Sequence, residues 1–216
     1  MTASSTLDGR ELERRLRNGL EGTHDREPRP LVNLELPEYA EKLLTPAFLR
    51  ILRPAAVLAP VVRRPEGLFM LLTRRTETLS SHKGQISFPG GRRDPEDPSA
   101  AHNALREAHE EIGLEPSRVE VIGYLDDYPT ISRYRVTPVV GIVDGPVTPV
   151  IHEHEVAEVF EVPMDVLLDR RSFEKKSFLR EGLTVPFYEV NYQGYRIWGA
   201  TAGMLLDLCR KVTGVF

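Results

Sequence analysis

Cysteine is almost missing from this chain. Cys209 is the only one in 216 residues, so no disulfide can form within the chain and no multi-cysteine zinc site can be built. It lies among Met204, Leu205, Leu206 and Leu208, which reads as a buried structural thiol. No apolar run is long enough to cross a bilayer. Met1 to Arg10 is polar and lacks the apolar centre of a signal peptide, so a cytoplasmic location is expected. Positive charge is not in surplus: 28 Lys and Arg stand against 32 Asp and Glu, a formal net charge of -4. With no basic stripe and no interleaved aromatics, neither nucleic acid nor a membrane is expected as a partner. No internal repeat is visible.

What is present suits one globular domain with a sizeable core. Hydrophobic residues make up 41% and charged residues 28%, both ordinary for a soluble protein. Leu7, Leu12, Leu16 and Leu20 recur near helical spacing and predict a helix over residues 7 to 20. Residues 22 to 36 read as a linker, and a short helix is expected between Glu38 and Leu52. Residues 1–50 thus form a helical and irregular arm, and residues 51–216 the main domain. Strands are predicted at Ala55 to Arg63 and Leu68 to Arg75, joined by the turn Arg64-Pro65-Glu66-Gly67. Both are apolar on two faces, which implies burial on both sides. Pro89-Gly90-Gly91 reads as a loop. Further strands are predicted at Val119 to Leu125, Val136 to Val143, Val156 to Val162, Thr184 to Val190 and Gly194 to Trp198. A short helix is expected at Met164 to Leu168 and a closing helix at about Ala200 to Val212. This order of elements predicts an α+β sandwich with a mixed sheet, not a parallel doubly wound one.

Between them lies an acidic helix. Ser99 is a candidate N-cap, Gly113 a candidate C-cap, and Ala101, Leu105, Ala108 and Ile112 form an apolar stripe between. At about 100° per residue, Glu110 falls roughly 60° to one side of Glu107 and Glu111 roughly 40° to the other. Three carboxylates therefore share one face. Such a face often only meets water. Here Gly90-Gly91 precedes it by one loop, and glycines let a backbone come close to a phosphate or metal. All-oxygen anionic ligands suit Mg²⁺ or Mn²⁺, which also hold substrate phosphates. Arg106 can pair with one of the acids and orient it.

The segment Gly91 to Leu114 resembles the Nudix box: a glycine, a spaced acid, then Arg-Glu-x-x-Glu-Glu-x-Gly. Gly91, Arg106, Glu107, Glu110, Glu111 and Gly113 match. The first acid is Asp97 or Glu96 instead of the usual glutamate, and one extra residue separates it from Arg106. The resemblance implies a Nudix-like α/β/α sandwich and hydrolysis of a nucleoside diphosphate linked to another moiety. It implies metal ligation by Glu107 and Glu111, with Glu110 a further ligand or an orienter of water. Catalytic candidates are Glu107, Glu110, Arg106 and Glu155; the general base stays open between Glu110 and Glu155.

Upstream, Leu71-Leu72-Thr73-Arg74-Arg75 leads through Gly84 to Phe88-Pro89-Gly90-Gly91. This stretch resembles the coenzyme A pyrophosphatase branch of the same family, with Thr76 where that branch usually has Ser or Ala. The resemblance implies cleavage of coenzyme A or acyl-CoA to 3′,5′-ADP and 4′-phosphopantetheine or its acyl form. Arg74, Arg75, Lys83, Gly90 and Gly91 are the candidates for binding the substrate. Successive strand residues face opposite ways, so only one of Arg74 and Arg75 is expected at the site. His82 is a candidate for phosphate contact or a structural hydrogen bond, and Phe88 is read as packing. Two other functions fit the helix motif alone. One is a Nudix enzyme for ADP-ribose or another nucleoside diphosphate derivative. The other is a catalytically silent nucleotide-binding regulator, against which the three intact glutamates argue. A homodimer is compatible with the sequence.

Overall fold

The computed structural model describes residues 8–26, 29–33, 35, 44–77, 83–180 and 182–215. Its centre is a mixed sheet. β1 (Arg53–Arg64) and β2 (Gly67–Arg75) form an antiparallel hairpin, paired from Val61↔Met70 to Arg64↔Gly67. Beyond that pairing the two strands separate, and the segment 86–92 fills the fork. There β3 (Ile86–Ser87) pairs with β2 and β4 (Gly90–Arg92) pairs with β1. The Pro89-Gly90-Gly91 segment, expected as a loop, is therefore corrected. Leu58 N donates to Pro89 O at 2.9 Å, and Gly90 and Gly91 are strand residues facing Val57 and Ala56. The open edge of β1 supplied this long-range pairing, which no local propensity announces.

α3 comes next in space; α1 spans Gly9–Leu20, α2 Pro46–Arg50 and α3 Ala100–Ile112. Within the expected helix between Glu38 and Leu52, Pro46–Arg50 is helical and capped by Thr45; residues 36–43 lie outside the described residues, as does Leu7. β5 (Val119–Tyr124) and β6 (Tyr128–Pro129) pair antiparallel with β7 (Tyr134–Val143), and β7 runs parallel to β1 from Arg53↔Tyr134 to Val62↔Val143. β8 (Val156–Pro163) pairs with β2. After the short α4 (Met164–Leu167), β9 (Glu174–Arg180), β10 (Leu183–Tyr192) and β11 (Tyr195–Trp198) make a separate antiparallel sheet, and α5 (Ala200–Thr213) closes the chain. β9 was not foreseen: Glu-Lys-Lys-Ser carries little strand propensity, and pairing with β10 makes it.

The main sheet is buried on both sides by alternation of its side chains. Ala56, Leu58, Val62, Leu71, Val139 and Val143 pack against Ala104, Ala108 and Ile112 of α3. Ala59, Val61, Met70, Leu72, Val140 and Ile142 pack on the other side with Leu12, Leu16 and Leu20 of α1 and Leu205 and Leu208 of α5. The fold is thus an α/β/α sandwich. Within the segment read as an N-terminal arm, α1 lays its leucine stripe into the core of the domain. Cys209 is buried in that core, where burial raises its thiol pKa. No helix among the described residues is long and apolar enough to cross a membrane.

Candidate active site

α3 is defined at both ends by its own sequence. Ser99 accepts from the His102 amide at 3.0 Å, and Gly113 closes the helix with φ +67°, the left-handed turn that glycine tolerates. The buried residues of α3 are Asn103, Ala104, Ala108, Glu111 and Ile112. Ala101 and Leu105, expected on the core stripe, are only half-buried. The helix is rotated so that one glutamate enters the sheet side.

Glu111 is that residue. It is 3% exposed, and its Oε2 accepts from the Gly90 amide at 3.2 Å. Burial pushes its carboxyl up to about 8, although Arg75 and the Gly90 amide act the other way and Glu107 and Glu155 add to the rise. Glu107 is also raised, first by burial, with Glu110 and Glu155 contributing. Glu107, Glu111 and Glu155 thus feel one another. Glu110 turns outward: its side chain is 57% exposed and meets Arg106 Nη1 at 3.1 Å. Glu155 is half-exposed beside His152, at the head of β8.

Gly91 makes room for Glu107. A Cβ there would stand 2.5–2.7 Å from the Glu107 carboxylate. A Cβ on Gly90, at φ +154°, would lie 2.5 Å from both Ala56 O and Val57 Cα. The two glycines bring β4 against β1 and under the helix.

Arg106 organises the acids. Its Nη2 reaches Glu107 at 2.9 Å, Asp97 at 3.0 Å and Arg92 O at 3.4 Å, while Nε reaches Asp97 at 3.1 Å. Asp97 also accepts from the Asp94 amide at 2.9 Å and pairs with His102 Nδ1 at 2.8 Å. Burial opposes ionisation of Asp97, but Arg106, the Asp94 amide and His102 together hold it well below the usual carboxylate range. Asp97 therefore ties the loop to the helix through Arg106. Its partner His102 was missed in sequence. The signal was an acid two residues before a helix N-cap, where the first turn can answer it.

Arg75 and Arg74 leave β2 on opposite faces. Arg75 follows Leu71 and Thr73 to the α3 side, where Nη1 lies 3.7 Å from Glu111. Its Nε is buried with no hydrogen-bond partner among the described residues. Arg74 pairs with Glu158 at 2.8 Å on the other face. With Lys83 it lines a cavity of about 590 Å³. Phe88 is a packed core residue at 2% exposure. His82 lies outside the described residues.

A family model described as NUDIX domain matches residues 52–182. The chain belongs to the Nudix family. The Nudix hydrolase NudL of Escherichia coli is 43% identical over 161 residues, covering 74% of this chain and 83% of that protein. NudL of Yersinia pestis is 40% identical over 161 residues, with 74% of this chain and 80% of the relative covered. Among solved structures, the Nudix hydrolase RenU of M. smegmatis is similar at a TM-score of 0.48 and 23% identity, over 75% of this chain and 86% of that one. The protein is a Nudix pyrophosphohydrolase acting on small molecules, and Nudix enzymes generally use divalent metal ions.

Proposed function

We propose that this enzyme hydrolyses the pyrophosphate of coenzyme A or acyl-CoA with Mg²⁺ or Mn²⁺, releasing 3′,5′-ADP and 4′-phosphopantetheine or its acyl form. The observation that carries it is the placing of Arg75 and Gly90, both from the Leu71–Gly91 stretch, directly at Glu111 of the Nudix helix. The stretch that resembles the coenzyme A branch thus supplies the lining of the hydrolytic centre.

The residues fit a hard divalent cation. Glu111 is a buried carboxylate whose charged form receives one amide hydrogen bond and a guanidinium at 3.7 Å. That is too little to hold it ionised near neutrality, and a cation would offset the cost. Glu107 stands beside it. Among the described residues no group of three His, Cys, Asp or Glu side chains is arranged to hold a metal ion. Mg²⁺ uses one or two carboxylates and completes its shell with water and substrate phosphates, so Glu107 and Glu111 suffice as protein ligands, with Glu110 as an outer support. When bound, the cation neutralises phosphate oxygens and acidifies a water.

The chain's own residues do the rest. Arg75, whose side chain is 24% exposed and whose Nη1 lies 3.7 Å from Glu111, can offer its guanidinium to a phosphate oxygen of the substrate. Arg106 holds Glu107 in one orientation, and Asp97 holds Arg106. Glu155, whose charge raises the carboxyls of both Glu107 and Glu111, is the proposed acceptor of the proton from the attacking water.

The test is a substrate panel: coenzyme A, ADP-ribose and a dinucleoside polyphosphate, each with Mg²⁺, Mn²⁺ or EDTA. Release of 3′,5′-ADP from coenzyme A, abolished by EDTA, is expected. Turnover of another panel member with coenzyme A left intact refutes the substrate reading.

A further inference from the structure

On the far side of β2 from the carboxylates, the cavity of about 590 Å³ is bounded by Arg74, Lys83, Gln85, Tyr195, Arg196 and Trp198. Its size is that of a small-molecule site, commonly about 300–1,000 Å³. We infer that this cavity is a subsite for a nucleoside 3′-phosphate, the adenosine end of the proposed substrate. The inference rests on the coenzyme A reading.

The charges lining the cavity favour an anion. Arg74 is matched by Glu158. Arg196 meets Glu189 at 2.6 Å, an acid it shares with Lys176, which also meets Glu174 at 3.3 Å. Lys83 is exposed and makes no ion pair among the described residues, the Glu77 carboxylate lying against the neighbouring Gly84, so its ammonium is open to a further anion. A phosphate monoester satisfies it; the pantetheine arm, which carries no charge, does not. The cavity also offers flat surfaces. Trp198 and Tyr195 are half-buried, with Arg196 5.1 Å over the Trp198 ring and Phe160 stacked on Tyr195 at 3.8 Å. Backed in this way, an aromatic ring is held rigid for stacking on a base. Finally, Arg74 and Arg75 are consecutive. The cavity and the Glu111 face therefore meet β2 at the same end of the strand, where Arg74 lines one and Arg75 approaches the other.

Trp198 is the only tryptophan in the chain, and its emission reports the cavity without metal or turnover. The experiment titrates 3′,5′-ADP, 5′-AMP and pantetheine into the parent protein and into Lys83→Gln. Expected is a saturable emission change with 3′,5′-ADP at concentrations at least about tenfold below 5′-AMP, and near-parity of the two nucleotides in Lys83→Gln. A silent Trp198, equal responses in the parent, an unchanged ratio in Lys83→Gln, or a response to pantetheine alone each overturns the subsite. The two readings fail separately. Coenzyme A hydrolysis with a silent Trp198 sinks only the subsite; a selective Trp198 response with coenzyme A left intact sinks only the substrate.

Discussion

Asp97 receives Arg106 in a two-pronged ion pair, Nε to Oδ1 at 3.1 Å and Nη2 to Oδ2 at 3.0 Å. The carboxylate is 1% exposed and the guanidinium 22%, so solvent screens this pair weakly. Through it the loop ahead of α3 controls the arginine that orients Glu107. Asp97→Ala removes the two-pronged partner of Arg106 and leaves two further hydrogen-bonding groups, the Asp94 amide and His102, without their acceptor. A stability loss of about 3 kcal/mol is expected in denaturant unfolding. Turnover should fall as well, because Arg106 is then free to leave Glu107. Unchanged stability would show that the ion pair is dispensable.

Glu111→Gln keeps the size and the Gly90 hydrogen bond but removes the charge. The expected result is a folded protein with turnover lowered by at least about 100-fold, at the upper end of what loss of a metal ligand or its support costs. Its melting temperature, measured alongside, separates a site effect from misfolding. Near-normal turnover would remove Glu111 from the site.

The two adjoining glycines should respond differently to alanine. At Gly91 the new methyl meets only the Glu107 carboxylate, the far end of a flexible side chain. Gly91→Ala should therefore keep most of its stability and lose about 10-fold or more in turnover as Glu107 is displaced. At Gly90 the methyl meets the backbone of Ala56 and Val57, at a φ that other residues rarely adopt. Gly90→Ala should cost about 2–3 kcal/mol. Thermal melts and steady-state assays on the pair check both; equal effects on stability would contradict the packing described.

A pH dependence comes from Glu189, 3% exposed in the three-stranded sheet. Hydrogen bonds from Lys176 and then Arg196 lower its carboxyl from 4.5 to about 2. A depressed folded-state pKa means that the acid binds protons more readily when unfolded. Its contribution is therefore complete above about 4.5 and is lost as pH falls toward about 2. The parent should melt higher than Glu189→Gln at neutral pH, and the gap should close over that window. A gap independent of pH would mean that charge plays no part.

Much of the site is legible in the sequence because it is local. The 3.6-residue repeat sets Glu107, Glu110 and Glu111 near one face of α3; Ser99 and Gly113 mark its ends, and strand alternation sends Arg74 and Arg75 apart. Those relationships lie within a few bonds of the residues concerned, so a sequence pattern carries them. Only tertiary structure decided the rest. The rotation of α3 on the sheet buried Glu111 and left Glu110 in solvent. The separation of β1 and β2 turned the Gly90–Arg92 segment from a loop into a strand. Pairing with β10 made a strand of Glu174–Arg180 despite its charges. The return of β11 brought Trp198 to a cavity shared with Lys83, from the other end of the domain. Each depends on partners distant in sequence, whose packing and hydrogen bonds outweigh local preference.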